Sequence, residues 1–515
     1  MSAATMEKKI NSTWKKVAIE VSAPSHILNS FITTNSELPT FYHLIKTHKN
    51  GPTLKIRPIV SNINSPSTKI VWLLTKILKP LLSGVSAHLE NSMELIEEIR
   101  DLTLEDRRIH NYPFSLDVVA LYTSIPPQHA IEVINDKLTS NRDLCKPLKP
   151  EHVKSLLEVI LSNTYFKFQG QIYKQVAGLA MGSSVSGILA ICVMDRLETG
   201  ALAASQNIKL YKRYVDDTFI LTTSREEAEN ILQLLNAQRP DIQFEIEHPT
   251  NNQISLLDFS VLINPDGTVS FSFYKKAAKR DLFPNYSSSI PTNSKINIAR
   301  NEIKRIEDRC TSNPDKHRYL QQLDDILKRN GYPQQAINRI KNVKYNRRRE
   351  THNETETFYF EFPFIDDSTD KKIRNVFRSA KLPVKIYRRS YTLRHALKKK
   401  QLSTNNCSLE SCYIANNDMC FRRNVVYELK CSACSKTYIG STTRQLHTRI
   451  KEHHSRENSS AYKHRLHCNG NFSTVILARE PDSTKLRLKE AILIKAHNPE
   501  INSRAERDFL SSLLF

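Results

Sequence analysis

The sequence predicts an α+β protein of several domains, on three observations. Its 515 residues exceed what one hydrophobic core holds, so about three domains are expected. Apolar stretches of strand length and stretches of helical spacing follow one another in mixed order. The last hundred residues change character, with Cys407, Cys412, Cys420, Cys431 and Cys434 bunched together and Cys468 following.

Composition narrows the class. Hydrophobic residues make up 39% of the chain, which supports packed domains over disorder. The longest apolar runs, such as Ile188 to Met194, are far short of a membrane span, so no membrane partner is expected. The N-terminus has no charged segment followed by an apolar core, so no secretory signal is read. Nine cysteines in that context suggest thiols or metal ligands more than disulfides, with Cys192 and Cys310 read as small buried hydrophobes. Lys and Arg number 75 against 53 Asp and Glu, a net charge of +22, which fits the footprint of a nucleic-acid binder ahead of plain solubility. Glycine is scarce at 11 residues, yet Gly178, Gly182 and Gly187 fall close together, which suggests close backbone approach there.

In order along the chain, residues 1–25 read as a polar segment. Phe41 to Lys49 and Leu54 to Ser61 read as two strands about Asn50-Gly51-Pro52. Lys46, Lys49, Lys55 and Arg57 could meet one polyanion there, although an ordinary charged hairpin fits equally. Ser65-Pro66 opens a helix that ends near Pro80, and another starts near Ser92. Residues 114–125 read as a buried strand carrying Asp117, an expensive placement unless that carboxylate has a partner, with a cap for the following helix as the competing reading. Tyr122 sits at the following strand-to-helix turn. Residues 151–168 read as a helix and then a strand, with a second strand after Gly170. Ala177 to Gly187 is a Gly/Ser-rich turn running into an apolar helix. Such a turn can cradle phosphates, or can simply be a tight helix entry.

Arg213-Tyr214-Val215-Asp216-Asp217-Thr218, with apolar flanks, reads as a hairpin whose tip carries two carboxylates. Close like charges repel, and a fold that keeps both ionised usually supplies a cation. Alone, the pair reads far more often as a solvated turn, because Asp is a good turn residue. A helix over Ser224 to Ala237 follows, then strands at Phe244 to Ile246, Leu256 to Leu262 and Phe271 to Tyr274. Lys275, Lys276, Lys279 and Arg280 form a basic cluster. Residues 293–348 are helical and basic, ending in the Tyr345 to Arg349 run, which fits a localisation signal, a phosphate contact or a solvated face. A low-complexity joint leads to a small α/β unit from Phe358 to Leu397 and to a second joint at Lys398 to Asn406.

In the last hundred residues, Val425 to Leu429 and Thr437 to Ser441 read as strands on either side of a Cys431–Cys434 knuckle. A basic helix places Arg449 and His453 one turn apart, and a later helix carries Glu490. Cys431 and Cys434 with His464 and His467 would make a Cys₂His₂ zinc site. The domain reading is 1–25 polar segment, 26–290 first domain, 291–349 basic helical domain, 350–405 connector and 406–515 Cys-rich domain.

By these motifs and their order, residues 41–262 resemble a reverse-transcriptase fingers and palm. Leu116-Asp117-Val118 resembles the first palm strand, Gly178 to Ser186 the nucleotide-binding turn, Tyr214 to Asp217 the catalytic hairpin and Leu257-Asp258-Phe259 a later palm strand. With the C-terminal Tyr438-Ile439-Gly440, the chain resembles Penelope-like retroelements, whose reverse transcriptase is related to telomerase and precedes a GIY-YIG endonuclease. The resemblance implies a right-hand polymerase (fingers, palm, helical thumb at 291–349) followed by a small α/β nuclease domain. It implies RNA-directed DNA polymerisation with two Mg²⁺ ions, in which Asp117 and Asp216 hold both ions and Asp217 sits beside them. Lys46 and Arg57 would clamp the triphosphate, Tyr122 would stack under the deoxyribose, and Met181-Gly182 would let backbone approach template and nucleotide.

In the nuclease, the resemblance implies that Tyr427 or Tyr438 activates water beside Arg449 and His453, while Glu490 binds one Mg²⁺. Departures are Ser184 in place of the usual Pro, the absence of Pro-Thr after Tyr274, and Val425-Val426 where the nuclease family has Gly-Ile. The implied partners are an RNA template, a DNA primer or target and dNTPs, in a nuclear and also cytoplasmic location. An inactive nucleic-acid-binding relic is the alternative, and the intact carboxylate set speaks against it. The fingers motifs begin only about forty residues in, which suggests a shortened N-terminus.

Overall fold

The computed structural model describes residues 2–34, 36–45, 56–203, 205, 207–276, 282–342, 358–361, 364–380, 382–387, 414, 419–457, 459–480 and 483–503. Lys46, Lys49, Lys55, Lys279, Arg280, the 345–349 run, Cys407 and Cys412 lie outside these residues. The chain divides into two compact units, Met1–Arg389 and Ser390–Phe515.

The first unit opens with a helix, α1 (Ala3–Glu20), where a polar segment was expected. Met6, Ile10, Trp14 and Val17 recur at helical spacing and are buried. The lysines and polar residues between them conceal that stripe in a linear reading. Trp14 Nε1 donates to the Leu28 carbonyl of α2 (Ser25–Phe31) at 2.9 Å. β1 (Thr40–Ile45) and β2 (Ile56–Ser61) pair antiparallel, with Phe41 opposite Val60. α3 (Thr68–Leu78), α4 (Ser92–Asp101) and α5 (Leu104–Ile109) follow. The Asn91 side chain caps α4, and a Thr103–Asp106 capping box starts α5.

β3 (Tyr112–Val118) carries Asp117 and passes into α6 (Leu121–Ser124) and α7 (Pro127–Ser140). α8 (Pro150–Ser162) then leads to the hairpin of β4 (Tyr165–Phe168) and β5 (Gln171–Lys174). These strands extend the first pair into a sheet of order β2-β1-β4-β5. α9 (Ser184–Leu202) is buried on most of its faces and reads as an apolar run without a stripe. After it come β6 (Ile208–Tyr214), β7 (Asp217–Thr222), α10 (Arg225–Gln238) and β8 (Phe244–Glu247). The sheet order is β6-β7-β3-β8. β7 is buried on both faces. Ile220 packs into the main core with α9, while Phe219 and Leu221 pack into a second core with Leu95, Ile99, Phe259 and Phe271.

A strand expected over Leu256 to Leu262 is instead a hairpin of β9 (Gln253–Leu256) and β10 (Phe259–Ile263), flanked by β11 (Val269–Phe273). Leu257 turns the chain at φ +53°, and Asp258 leaves the sheet. It does so to meet α11 (Thr292–Arg309). Asp258 Oδ2 accepts from Arg305 Nη2 at 2.8 Å and pairs with Arg309 Nε at 2.7 Å. α11, α12 (Asn313–Arg329) and α13 (Gln334–Lys341) share a core with Phe273. A small parallel unit, β12 (Phe358–Glu361), α14 (Asp367–Ser379) and β13 (Val384–Tyr387), ends this part.

The second unit is built on β14 (Val425–Cys431), which lies between β15 (Thr437–Thr442) and a later strand, with α15 (Leu446–Ser455) and α16 (Ser460–His467) connecting them. β16 (Phe472–Arg479) completes the antiparallel order β15-β14-β16, and α17 (Ser483–His497) follows. Alternate residues of β14 serve two cores. Tyr427 and Leu429 face Leu446 and Ile450, while Val426 faces Leu486 and Ile494.

Asp258→Ala leaves the largely buried Arg309 without its counter-charge. It is expected to destabilise the protein by roughly 3 kcal/mol in urea unfolding; an unchanged midpoint would show that the ion pair contributes nothing.

Candidate active sites

In the first unit the β3–β7 register sets Asp117 opposite Asp217. Tyr214 pairs with Asp217, so the hairpin tip is Val215-Asp216 and Asp217 begins β7. Val118 N donates to the Asp216 carbonyl at 3.4 Å. Val215 stands at φ +61°, a strained conformation for a β-branched residue. Burial first, then the charges of Asp216, Asp117 and Glu247, push the Asp217 carboxyl up, while Lys276 pulls it back. Such a crowd of hard oxygen donors with excess negative charge fits a divalent cation such as Mg²⁺. Sequence reading placed Lys276 only within a basic cluster, because nothing local indicates that it faces the carboxylates.

The Gly/Ser turn joins two elements. Val60 N of β2 donates to the Met181 carbonyl at 2.8 Å, and Leu179 N donates to the Tyr122 carbonyl at 2.6 Å. Gly182 has φ +116°, and a Cβ there would lie 2.3 Å from the Val60 carbonyl oxygen. No other residue allows that approach. Burial, followed by the charge of Asp216, pushes the Tyr122 phenol up. Asp117, Asp216, Asp217, Tyr122 and Met181-Gly182 are therefore brought to one region. Arg57 is exposed on β2, three residues from Val60. Lys46 lies outside the described residues.

In the second unit Tyr427 is fully buried and pairs across the sheet with Gly440. A Cβ at Gly440 would lie 2.9 Å from Tyr427 Oη and 2.8 Å from Tyr438 Cε1, so the glycine makes room for both rings. Tyr427 Oη lies 2.7 Å from His453 Nε2, and Arg449 Nε donates to Oη at 3.3 Å. Arg449 has only donors, so the phenol proton goes to His453 Nε2. The other ring nitrogen, Nδ1, then carries a hydrogen and donates to Ser459 Oγ at 2.6 Å. Burial holds His453 down to about 3, aided by Arg449, so the ring is neutral and Nε2 accepts the Tyr427 hydrogen bond. Burial also pushes the Tyr427 phenol well above its usual range. Glu490 accepts from Ser441 Oγ at 2.6 Å, and its charge reaches Tyr427. The Tyr438 and His453 rings lie 5.0 Å apart.

All five nuclease residues singled out in the sequence thus converge. Sequence reading missed Ser459 and Asn502. Asn502 is buried and closes the outer edge of β15 with two hydrogen bonds to the Ile439 main chain, at 2.9 and 2.8 Å. Neither residue carries a local signal, since each acts across a loop.

The metal-ligand cluster corrects one expectation. Its members are Cys431, Cys434, His464 and Cys468, with ligand atoms within 4.8 Å of one another. His467 is not among them. α16 ends at His467, whose Nδ1 pairs with the Lys463 carbonyl at 2.8 Å, and the extended backbone of the next residue brings Cys468 inward. The Cys431 and Cys468 sulfurs lie 3.7 Å apart, and Cys434 Sγ lies 3.4 Å from His464 Nε2. Tetrahedral Zn²⁺ with sulfur ligands at about 2.3 Å requires sulfur separations of roughly 3.8 Å, so the set fits zinc. Burial opposes the Cys431 thiolate, but neighbouring N–H groups, His464 and Cys434 bring this thiol down to about 6.

Comparison with known proteins agrees with this division. Residues 47–248 match the reverse transcriptase (RNA-dependent DNA polymerase) family model, and residues 423–504 match the GIY-YIG catalytic domain. The chain therefore carries a reverse transcriptase domain. A GIY-YIG domain follows it toward the C-terminus. Residues 282–342, which include α11 to α13, match the animal helix-turn-helix domain. Candida albicans telomerase, in complex with a TWJ fragment of telomeric RNA, is 11% identical at a TM-score of 0.40, covering 62% of this chain and 58% of that one. A truncated apo telomerase from Candida tropicalis is 11% identical at 0.33, covering 45% and 54%. The RNA-dependent RNA polymerase of BmCPV at its elongation state is 11% identical at 0.36, covering 62% and 29%. These overlaps are too loose to carry an argument, and the chain spans just over half the length of those telomerases. No curated protein matches the chain.

Two outcomes follow from the geometry. Cys468→Ser is expected to lose bound zinc by elemental analysis while His467→Ala keeps it; the reverse result would restore His467 as the ligand. Asp217 binds its proton more tightly folded than unfolded, so stability falls as pH rises past the ordinary carboxylate range. Asp217→Asn is therefore expected to melt above the wild type at pH 7 without Mg²⁺, and to gain less from added Mg²⁺.

Proposed function

We propose that this chain is the RNA-directed DNA polymerase of a Penelope-like retroelement, carrying a metal-dependent DNA endonuclease. The observation behind the polymerase reading is the β3–β7 register, which gathers Asp117, Asp216 and Asp217 beside the Tyr122 and Gly182 turns. When bound, two Mg²⁺ ions would lower the charge barrier at the attacking 3′-oxygen and the leaving pyrophosphate. Asp117 and Asp216 would hold them, with Asp217 adjacent. Lys276 balances the carboxylates, Arg57 meets the triphosphate, and Tyr122 forms the floor under the sugar. The template is RNA, the primer or target is DNA, and the site of action is the nucleus.

In the endonuclease, Tyr427 is the residue that activates water, its hydroxyl oriented by the hydrogen bond to His453 Nε2. Arg449 Nε donates to the same oxygen and opposes the effect of burial on it. Glu490 is the residue that would hold a single Mg²⁺. The Cys₃His cluster would hold a structural zinc that fixes the end of β14.

Primer extension on poly(rA)/oligo(dT) with Mg²⁺ tests the polymerase. Wild type is expected to give product, and Asp216→Ala/Asp217→Ala to give none while still binding the hybrid. Nicking of supercoiled DNA tests the second activity in the same preparations: Tyr427→Phe and Glu490→Gln are expected to abolish nicking and leave extension intact. Hybrid binding without product from wild type would instead favour a non-catalytic binding relic.

A further inference from the structure

Arg213 lies two residues before the Val215 tip, yet it is 0% exposed, the largest fully buried side chain among the described residues. Neither proposed activity uses it. Burying a guanidinium is costly unless it is paired and every donor is satisfied. Its Nε and Nη2 donate to the Glu198 carboxylate at 2.5 and 3.1 Å, and Glu198 is itself only 3% exposed. The remaining contacts go to main chain: Nη1 donates to the Val215 carbonyl at 3.1 Å and Nη2 to the Ile191 carbonyl at 3.3 Å. Its backbone is held as well. Arg213 N donates to the Ala87 carbonyl at 2.6 Å, and Leu89 N donates to the Arg213 carbonyl at 3.0 Å.

The Val215 contact is the informative one. Val215 is the strained tip residue, and a β-branched side chain at φ +61° persists only where surrounding structure over-determines it. Asp216 and Asp217 follow immediately, so the conformation at Val215 sets where both carboxylates point. Glu198 and Ile191 belong to α9, the helix that the Gly/Ser turn enters. The guanidinium therefore connects the nucleotide-side helix to the carboxylate tip through one rigid planar group.

We propose that the Arg213–Glu198 pair is a positioning device that holds the Val215 tip and thereby sets the metal-binding geometry of Asp216 and Asp217. It rests on the polymerase reading for its purpose. A buried ion pair by itself is weak evidence for stability, and apolar replacement of both partners is often neutral to folding. That separates the two roles. Arg213→Met/Glu198→Leu fills the same volume without a donor to Val215. Arg213→Lys keeps the charge but cannot reach Glu198, Val215 and Ile191 together.

Mn²⁺ binding by EPR gives a readout independent of turnover, with urea unfolding measured on the same samples. Both variants are expected to bind Mn²⁺ about tenfold more weakly, the loss typical when a group supporting metal ligands is removed. Extension kcat is expected to fall about a hundredfold, with the Kd for primer–template unchanged. The double variant is expected to unfold near the wild-type midpoint. Wild-type Mn²⁺ affinity in Arg213→Lys, or in a folded double variant, would overturn the proposal. If the double variant fails to fold, Arg213→Lys alone decides. A wild type that binds Mn²⁺ but makes no product sinks the polymerase reading, and weaker Mn²⁺ binding in the variants would still support the brace.

Discussion

The first unit depends on keeping like charges close. The β3–β7 pairing fixes Asp117 across from Asp217, the tip adds Asp216, and Glu247 stands near. Burial sharpens the repulsion, since a lower dielectric both raises the cost of ionising Asp217 and strengthens each pairwise term. Such an arrangement lasts only if the surrounding packing is rigid. β7 supplies that rigidity by filling two cores with alternate residues, so it cannot slip without exposing Phe219, Ile220 and Leu221 at once. The carboxylates are held together by hydrophobic packing that none of them contributes to.

The second unit handles its reactive group differently. Tyr427 is buried among apolar neighbours, and its hydroxyl is met by His453, which in turn pairs with Ser459, and by Arg449. One strand, β14, runs from the Tyr427 relay to Cys431, the first ligand of the Cys/His cluster. Order at the cluster and order at the phenol are therefore linked through four residues of backbone.

Much of this was legible because the chemistry is local in sequence. Asp117 in an apolar strand, adjacent Asp216 and Asp217 between apolar runs, and clustered glycines are visible without a fold. What was missed depends on where chain segments return. α1 hides its buried Trp14 stripe among lysines, so its packing shows only once α8 and α2 lie against it. Asp258 reads as a strand residue until Arg305 and Arg309 arrive from some fifty residues later. His467 and Cys468 are neighbours in sequence, and the end of α16 alone decides which of them faces the cluster. Arg213 looks like one more cation in a basic chain, and its burial follows from Glu198 on a separate helix.

The bond from Val60 N to the Met181 carbonyl, with Gly182 pressed against Val60, has a mechanical consequence. Contact there is backbone on backbone, with no side chain between to bend or swing. Any displacement of β2 must drag the Met181-Gly182 turn with it, and through the Leu179–Tyr122 bond it must also load the turn beneath the carboxylates. The β1–β2 sheet and the Gly/Ser turn are geared together, so a strand carrying Arg57 cannot shift without the Tyr122 turn receiving the same motion.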